Sequence, residues 1–230
     1  MSRCQATEAV SQCIKHAGHN DDHLWEDAAW FADHRHDGID VSWFPRDRAV
    51  NSWVKKHRLS RWEMCEVLRE VSAIGTIQCV LEIGCHVGDS LRIWRECLDP
   101  YLLVGVQDTD ELSERTAFDL AVVAIRGRSQ EQSTYERVLE VIGPDGCRQS
   151  SEIDFLYIDG DHTLNALRQD WALYSRLVRP GGIAVLHDAV IRGNDTVDVY
   201  KLWPEIASQY RTKLLHDPIV PSTGVGIVFL

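Results

Sequence analysis

No stretch of the sequence approaches the roughly 18 to 20 consecutive apolar residues that a membrane-spanning helix needs. The start MSRCQATEAV has no signal-peptide core. These two absences lead to the expectation of a cytoplasmic chain without a membrane partner. A surplus of positive charge is also missing. With 35 acidic against 24 basic residues the net charge is -11, which argues against holding nucleic acid by neutralising phosphates along a broad basic face. The seven cysteines, at 4, 13, 65, 79, 85, 97 and 147, never form a Cys-x-x-Cys pair. Their odd number and scatter fit reduced thiols, several packed as small hydrophobes, better than a disulfide framework. There is no internal repeat and no low-complexity tract. What is present, 230 residues of which 44% are hydrophobic, suffices for one substantial core or one core with a small appendage.

The first 75 residues hold five of the eight tryptophans (Trp25, Trp30, Trp43, Trp53, Trp62) and most of the histidines. They read as helical. Ser60-Arg61-Trp62-Glu63 has capping-box spacing, and Trp62, Cys65, Val67, Leu68 and Val71 supply an apolar face, so a helix is expected over about 60 to 73. A second helix is expected near 46 to 57, with loops around His34 to Gly38 and Phe44 to Asp47. The run His16-x-x-His19-x-Asp21-Asp22-His23 has metal-binding spacing, but a solvated polar face is the simpler reading.

From residue 76 the pattern changes to short apolar runs separated by helical ones. Strands are expected at 79 to 83, 102 to 106, 121 to 125, 155 to 158 and 183 to 186, with helices at about 90 to 98, 130 to 142 and 163 to 178 and a weaker one at 111 to 120. Alternating strand and helix is the mark of a parallel sheet covered on both faces. The tail, with runs near 212 to 215 and 225 to 230, reads as an antiparallel hairpin. In the helix after residue 163, Leu164, Leu167, Trp171, Tyr174 and Leu177 face the sheet, and Asp170 is expected on the solvated side.

Three segments carry chemistry. Val80-Leu81-Glu82-Ile83-Gly84-Cys85-His86-Val87-Gly88-Asp89-Ser90 runs from strand through a glycine turn into a helix, whose unpaired N–H groups and close backbone suit a ligand. The same turn also serves any tight strand-to-helix link. About 20 residues on, Asp108 closes the next strand, where an acidic group can accept from ribose hydroxyls; solvated turn residues are the plainer reading of Asp108 and Asp110. The third segment, Ile158-Asp159-Gly160-Asp161-His162-Thr163, sets two carboxylates and an imidazole at a strand end. The plainer reading there is that Asp161 and His162 cap the following helix, which suits the acid better than a protonated imidazole.

Glu82-x-Gly84-x-x-x-Gly88-x-Ser90, Leu177-Val178-Arg179-Pro180-Gly181-Gly182 read as a turn before a strand, and the IDGDHT strand end occur in the order found in class I S-adenosylmethionine-dependent methyltransferases. The resemblance spans about 76 to 230. It implies an α/β, Rossmann-like, seven-stranded, mostly parallel sheet whose last strand is antiparallel. The methyltransferase domain would occupy 76–230, and 1–75 would form a helical, tryptophan-rich cap over the substrate end or a contact between copies in a homo-oligomer. It further implies S-adenosylmethionine as cofactor, with Glu82, Gly84 and Gly88 along its methionine part, Cys85 and Ser90 in the same turn, Gln107 or Asp108 at the ribose, and Arg128 and Ser129 near the adenine.

The strand end is most similar to metal-dependent small-molecule O-methyltransferases of the catechol and caffeoyl-coenzyme A type and the cephalosporin-hydroxylase-like group. This implies that Asp159 and Asp188, with His187 standing in for an oxygen ligand that Ala189 lacks, hold magnesium or manganese, and that His162 acts as base on a sugar or natural-product hydroxyl. Asp159 would then serve in catalysis, in cofactor contact and as metal ligand. Two alternatives stay open on the residues: a catalytically inactive S-adenosylmethionine-binding or regulatory module, suggested by Gln107 and Ala189, and an NAD-dependent oxidoreductase, against which the first turn lacks Gly-x-Gly-x-x-Gly.

Overall fold

The computed structural model describes residues 61–143, 152–190, 197–217 and 222–230. The expected helix at 46 to 57, the loops before it and the histidine run at 16 to 23 lie outside the described residues. Helix α1 (Arg61–Ala73) precedes strand β1 (Cys79–Ile83), and α2 (Asp89–Leu98) leads to β2 (Leu102–Gln107). The next pair is α3 (Glu114–Asp119) with β3 (Val122–Arg126), followed by α4 (Gln132–Ile142) with β4 (Ile153–Ile158). Helix α5 (Leu164–Tyr174) enters β5 (Val178–His187) through one 3₁₀ turn, and α6 (Val199–Ala207), β6 (Arg211–Leu215) and β7 (Val225–Phe229) complete the order.

The strands form one sheet in the order β3-β2-β1-β4-β5-β7-β6, and β7 runs antiparallel to both neighbours. The seven-stranded, mostly parallel arrangement with its antiparallel last strand is the one the sequence led us to expect. Two elements depart from expectation. The Pro180-Gly181-Gly182 segment is not a turn before β5 but its irregular first half: the pairing with β4 shifts between Ile153 and Phe155, and Gly181 N–H donates to the Leu230 carbonyl at 2.6 Å. Helix α6 was not foreseen.

Strands β1, β4 and β5 are buried along nearly their whole length, so they read as continuous apolar runs while their side chains still alternate between two cores. Val80, Phe155, Tyr157 and Val185 pack against Met64, Leu68 and Val71 of α1 and Leu91 and Trp94 of α2. Leu81, Leu156 and Leu186 pack on the opposite face against Val138 of α4, Leu167 and Tyr174 of α5, and Leu202 of α6. Glu63 of α1 is buried and accepts from the Asp217 N–H at 2.9 Å and the Ser222 hydroxyl at 2.6 Å, tying this helix to the tail. Cys65, Cys79, Cys85 and Cys97 are free thiols, the first three buried.

The chain runs outward from β1 to β3 and then crosses back to place β4 on the other side of β1. Connections after β1 and β4 therefore leave the sheet in opposite directions and open a crevice at their carboxyl ends.

Candidate active site

The three segments picked out as carrying chemistry end at this crevice. Strand-end hydrogen bonds draw the loops together: Gly84 N–H donates to Val106 O at 2.9 Å, Gly127 N–H to Gln107 O at 2.9 Å, and Asp159 N–H to Ile83 O at 2.8 Å. The cleft between them has a volume of about 310 Å³. Gly84, Gln107, Asp108, Arg128, Ser129 and Asp159 line it, as does Gln130, which the sequence reading passed over.

Glu82, Cys85, Gly88 and Ser90 stand behind this lining. The pleat of β1 turns Glu82 toward α2, where it is fully buried and accepts from the Trp94 indole at 2.7 Å and from the Ser90 hydroxyl. The Cys85 thiol packs against the Val106 carbonyl at 3.7 Å. Gly88 (φ 88°) makes room for Leu112 and Thr116. These residues shape the turn from within the protein.

Burial raises the Glu82 carboxyl to about 8, opposed by the hydrogen bonds from Ser90 and Trp94. The folded state thus keeps a proton that the unfolded chain releases above its ordinary 4.5, so this group makes stability fall as pH rises between those values. Glu82→Gln keeps the shape and removes the charge. Its melting temperature is expected to vary less than that of the native chain between about pH 5 and 8; scanning calorimetry across that range checks it, and parallel profiles would count against the assignment.

Gln107 is 9% exposed, and its amide N–H donates to the Thr109 hydroxyl at 2.6 Å. The amide oxygen is buried and has no partner among the described residues. An orphaned acceptor facing a cleft at the end of β2 is the feature a ribose hydroxyl would satisfy. Asp108 lines the same cleft but is exposed. The lining fits the adenosyl part of the expected cofactor.

At the ends of β4 and β5 the structure gathers Asp159, His162 and Asp188, each with one donor atom within 4.8 Å of the others. His162 spans the two acids: Nε2 lies 3.3 Å from Asp159 Oδ1 and Nδ1 2.9 Å from Asp188 Oδ2. His187 is buried, with Nδ1 2.9 Å from Asp159 Oδ1 and 3.5 Å from Asp188 Oδ1, while its Nε2 has no partner among the described residues. Both imidazoles thus reach both carboxylates: His187 from the buried side through Nδ1 alone, His162 from the more open side with one nitrogen on each acid. The two carboxylates at this spacing fit a divalent cation by donor chemistry, and an imidazole nitrogen beside them suits manganese better than magnesium.

The hydrogen bonds His162 donates to Asp159 and then to Asp188 raise it to about 10, against burial. Burial opposes charge on His187, but Asp159 and Asp188 outweigh it and hold that ring well above its ordinary value. Burial likewise opposes charge on the two acids, yet the imidazoles keep both carboxyls below the usual range. The helix cap is a separate device. Thr163 caps α5 by accepting from Ala166 N–H, and Asp161 accepts from Thr163 N–H at 2.9 Å. His162 takes no part in it.

Asp170 is not on the solvated side. It is fully buried, and both of its oxygens lie 2.9 Å from the Gln130 amide nitrogen. Burial raises its carboxyl to about 6, opposed by bonds from Ser129 and Gln130.

The sheet order with an antiparallel β7 differs from the parallel dinucleotide-binding fold and speaks against the NAD alternative. The fold is the Rossmann-like one of class I S-adenosylmethionine-dependent methyltransferases. Residues 81–189 match the methyltransferase domain family. No curated protein sequence matches the chain. Among solved structures, the O-methyltransferase TomG from Streptomyces achromogenes, in complex with S-adenosylmethionine, is 15% identical with a TM-score of 0.58, covering 92% of this chain and 99% of that one. The O-methyltransferase from Bacillus cereus in complex with SAH is 17% identical with a TM-score of 0.55 over 88% and 96% of the two chains. MycE from the mycinamycin biosynthetic pathway, in complex with Mg, SAH and mycinamycin VI, is 17% identical with a TM-score of 0.54. That match covers 80% of this chain but 54% of MycE, so the chain spans about half the length of that relative. At these identities the likenesses establish the fold.

Among the described residues no helix is long and apolar enough to cross a membrane.

Proposed function

We propose that the protein transfers the methyl group of S-adenosylmethionine to a hydroxyl of a small molecule, a sugar or a natural product. One observation carries this reading: Asp159 belongs both to the cleft that fits the adenosyl cofactor and to the cluster with His162 and Asp188. A methyl donor in the cleft and an acceptor hydroxyl at the cluster would meet at one residue. Holding both in line supplies much of the rate acceleration. TomG and the Bacillus enzyme are O-methyltransferases by description, and MycE was solved with Mg and a natural product, which supports the direction of the proposal.

Asp159 and Asp188 would hold a divalent cation, with magnesium or manganese the ions proposed. A cation held there would acidify a substrate hydroxyl, and Asp159 and Asp188 committed to it would no longer keep the His162 proton in place. His162 Nε2 then takes the hydroxyl proton as the oxygen attacks the methyl carbon and the sulfonium leaves as a thioether. The Gln107 amide oxygen accepts from the ribose, and Glu82 sets the turn behind the methionine part. Residues 1–75 are proposed to form a cap over the acceptor or a contact between copies, and the chain is proposed to work in the cytoplasm without nucleic acid or membrane.

The test is calorimetry with S-adenosylmethionine followed by a screen of hydroxylated acceptors with labelled cofactor, with and without magnesium or manganese. Binding with no transfer to any acceptor favours the inactive-module alternative; binding of NAD in place of S-adenosylmethionine sinks the reading altogether. In the same calorimetry, Gln107→Leu is expected to weaken cofactor binding about tenfold, the scale of one lost hydrogen bond in a desolvated site. Asp108→Ala is expected to change it less than about threefold, because an exposed side chain exchanges one partner for water. The reverse ranking would move the ribose contact to Asp108.

A further inference from the structure

Asp170 is a fully buried acid on a helix face that the catalytic scheme above does not use. Its environment is specific. The Gln130 amide nitrogen donates to both Asp170 oxygens at 2.9 Å and also to the Ser129 hydroxyl at 2.8 Å. The Ser129 hydroxyl in turn bonds the same carboxylate, and the Ser129 carbonyl accepts from Tyr174 at 2.7 Å. Both ends of this small network are anchored in α5, while Gln130 and Ser129 line the cleft. Asp170 also sits directly beneath the cleft floor: a Cβ on Gly160 would lie 3.8 Å from its Oδ2.

An ionised carboxylate is an acceptor with no proton to give, so the Gln130 side chain has one choice of orientation. Its NH₂ must turn inward to Asp170 and Ser129. The amide oxygen takes no hydrogen bond from the described residues and is the polar atom Gln130 has to offer a ligand. A cleft lined by Gln130 turned this way presents an acceptor. Without Asp170 the amide could rotate and offer a donor instead, since the two faces of a carboxamide are nearly the same shape.

We propose that Asp170 is a positioning residue that fixes Gln130 with its amide oxygen toward the cleft, so that the site selects a base carrying an exocyclic amino group, adenine, over a 6-oxo purine. The inference rests on the cofactor reading above and deepens it. A 6-amino group donates to the Gln130 oxygen, whereas an oxygen at the same ring position brings two acceptors together. Sites built to make a hydrogen bond reject analogues that cannot complete it, because a buried polar group is left unpaired.

The experiment compares binding of S-adenosylhomocysteine with that of S-inosylhomocysteine, its 6-oxo counterpart, by calorimetry on the full chain. The native protein is expected to prefer the adenosyl ligand by about 30-fold or more. In Asp170→Asn the new amide can donate to the Gln130 oxygen, and the preference is expected to fall below about fivefold, with the inosyl ligand gaining affinity. A purely structural role would weaken both ligands together and leave their ratio unchanged, which overturns the proposal. Gln130→Met, at a half-buried position, gives the same comparison should the Asn variant not fold; there too the ratio must collapse. A native ratio near one overturns this inference alone, since the cofactor reading survives it. Binding of neither ligand by folded protein overturns the cofactor reading and this inference with it.

Discussion

His162→Gln is expected to lower turnover by about 10²- to 10⁴-fold while leaving S-adenosylmethionine affinity within about threefold, the pattern of a lost proton acceptor rather than a lost binding contact. The geometry behind this is asymmetric. The side chains of Asp159 and Asp188 are 13% and 6% exposed, whereas that of His162 is 33% exposed. Of the three, the imidazole is the group an incoming hydroxyl would meet first. Its two nitrogens are both occupied by carboxylates, and a ring raised to about 10 cannot accept a proton near neutrality. The base role therefore requires that Asp159 and Asp188 be neutralised by something else. Chelation should accordingly reproduce most of the His162→Gln loss, and readdition of manganese or magnesium should restore the native enzyme but not the variant. Labelled methyl transfer to an acceptor found in the screen measures all four states. Full activity of the chelated variant would remove both the cation and the base from the scheme.

The scaffold was legible because buried parallel strands announce themselves. Cys79 to Ile83, Phe155 to Ile158 and Ile183 to Leu186 are short apolar runs bounded by glycine or polar turns, and each of the seven strands overlaps an apolar run read from the sequence, β5 alone reaching well back of its run to Val178. The unforeseen helix α6 carries Val199, Leu202, Trp203 and Ile206 on one buried face, a readable period, but Pro204 inside it argues locally for a break. Tertiary packing against α5 and the sheet overrode that signal. Pro180-Gly181-Gly182 was misread for a related reason: a glycine pair signals a turn, and the pairing that makes it strand comes from Leu230, fifty residues downstream in the sequence and adjacent only in the fold.

The site was legible by type and less so by role. Asp159, His162, His187 and Asp188 were picked out from strand ends, and the fold brings all four together. That both imidazoles reach both acids depends on how β4 and β5 register, which no local pattern contains. Asp170 shows the limit most clearly. Its position on α5 is compatible with the solvated side by spacing alone, and its partner Gln130 is 40 residues away. A glutamine following Gly127-Arg128-Ser129 at a strand end was the available clue, and it carries no charge to draw notice.

The second large effect concerns Gly84, where fold and site depend on the same few atoms. Gly84 has φ 85°, and a Cβ built on it would lie 2.1 Å from the carbonyl oxygen and 2.5 Å from the carbonyl carbon of Asp159. Backbone cannot rotate away as a side chain can, so Gly84→Ala must push the ends of β1 and β4 apart and strain the hydrogen bond from Asp159 N–H to Ile83 O. Gly75 provides the control, because its φ is 107° yet nothing lies within 4 Å of its Cβ position. Gly75→Ala should therefore report the left-handed backbone cost alone, about 1 to 2 kcal/mol. Gly84→Ala adds the collision and should lose about 4 kcal/mol or more, a large share of the stability of a domain of this size. That corresponds to a melting temperature lowered by about 10 °C or more, against a few degrees for the control. If the folded fraction of Gly84→Ala is then assayed, its cofactor affinity and turnover should both fall, since Asp159 joins the cleft to the cluster and is the residue displaced. Equal melting temperatures for the two variants would mean that β1 and β4 can separate at little cost, and the close approach at the crevice would not be what holds Asp159 in place.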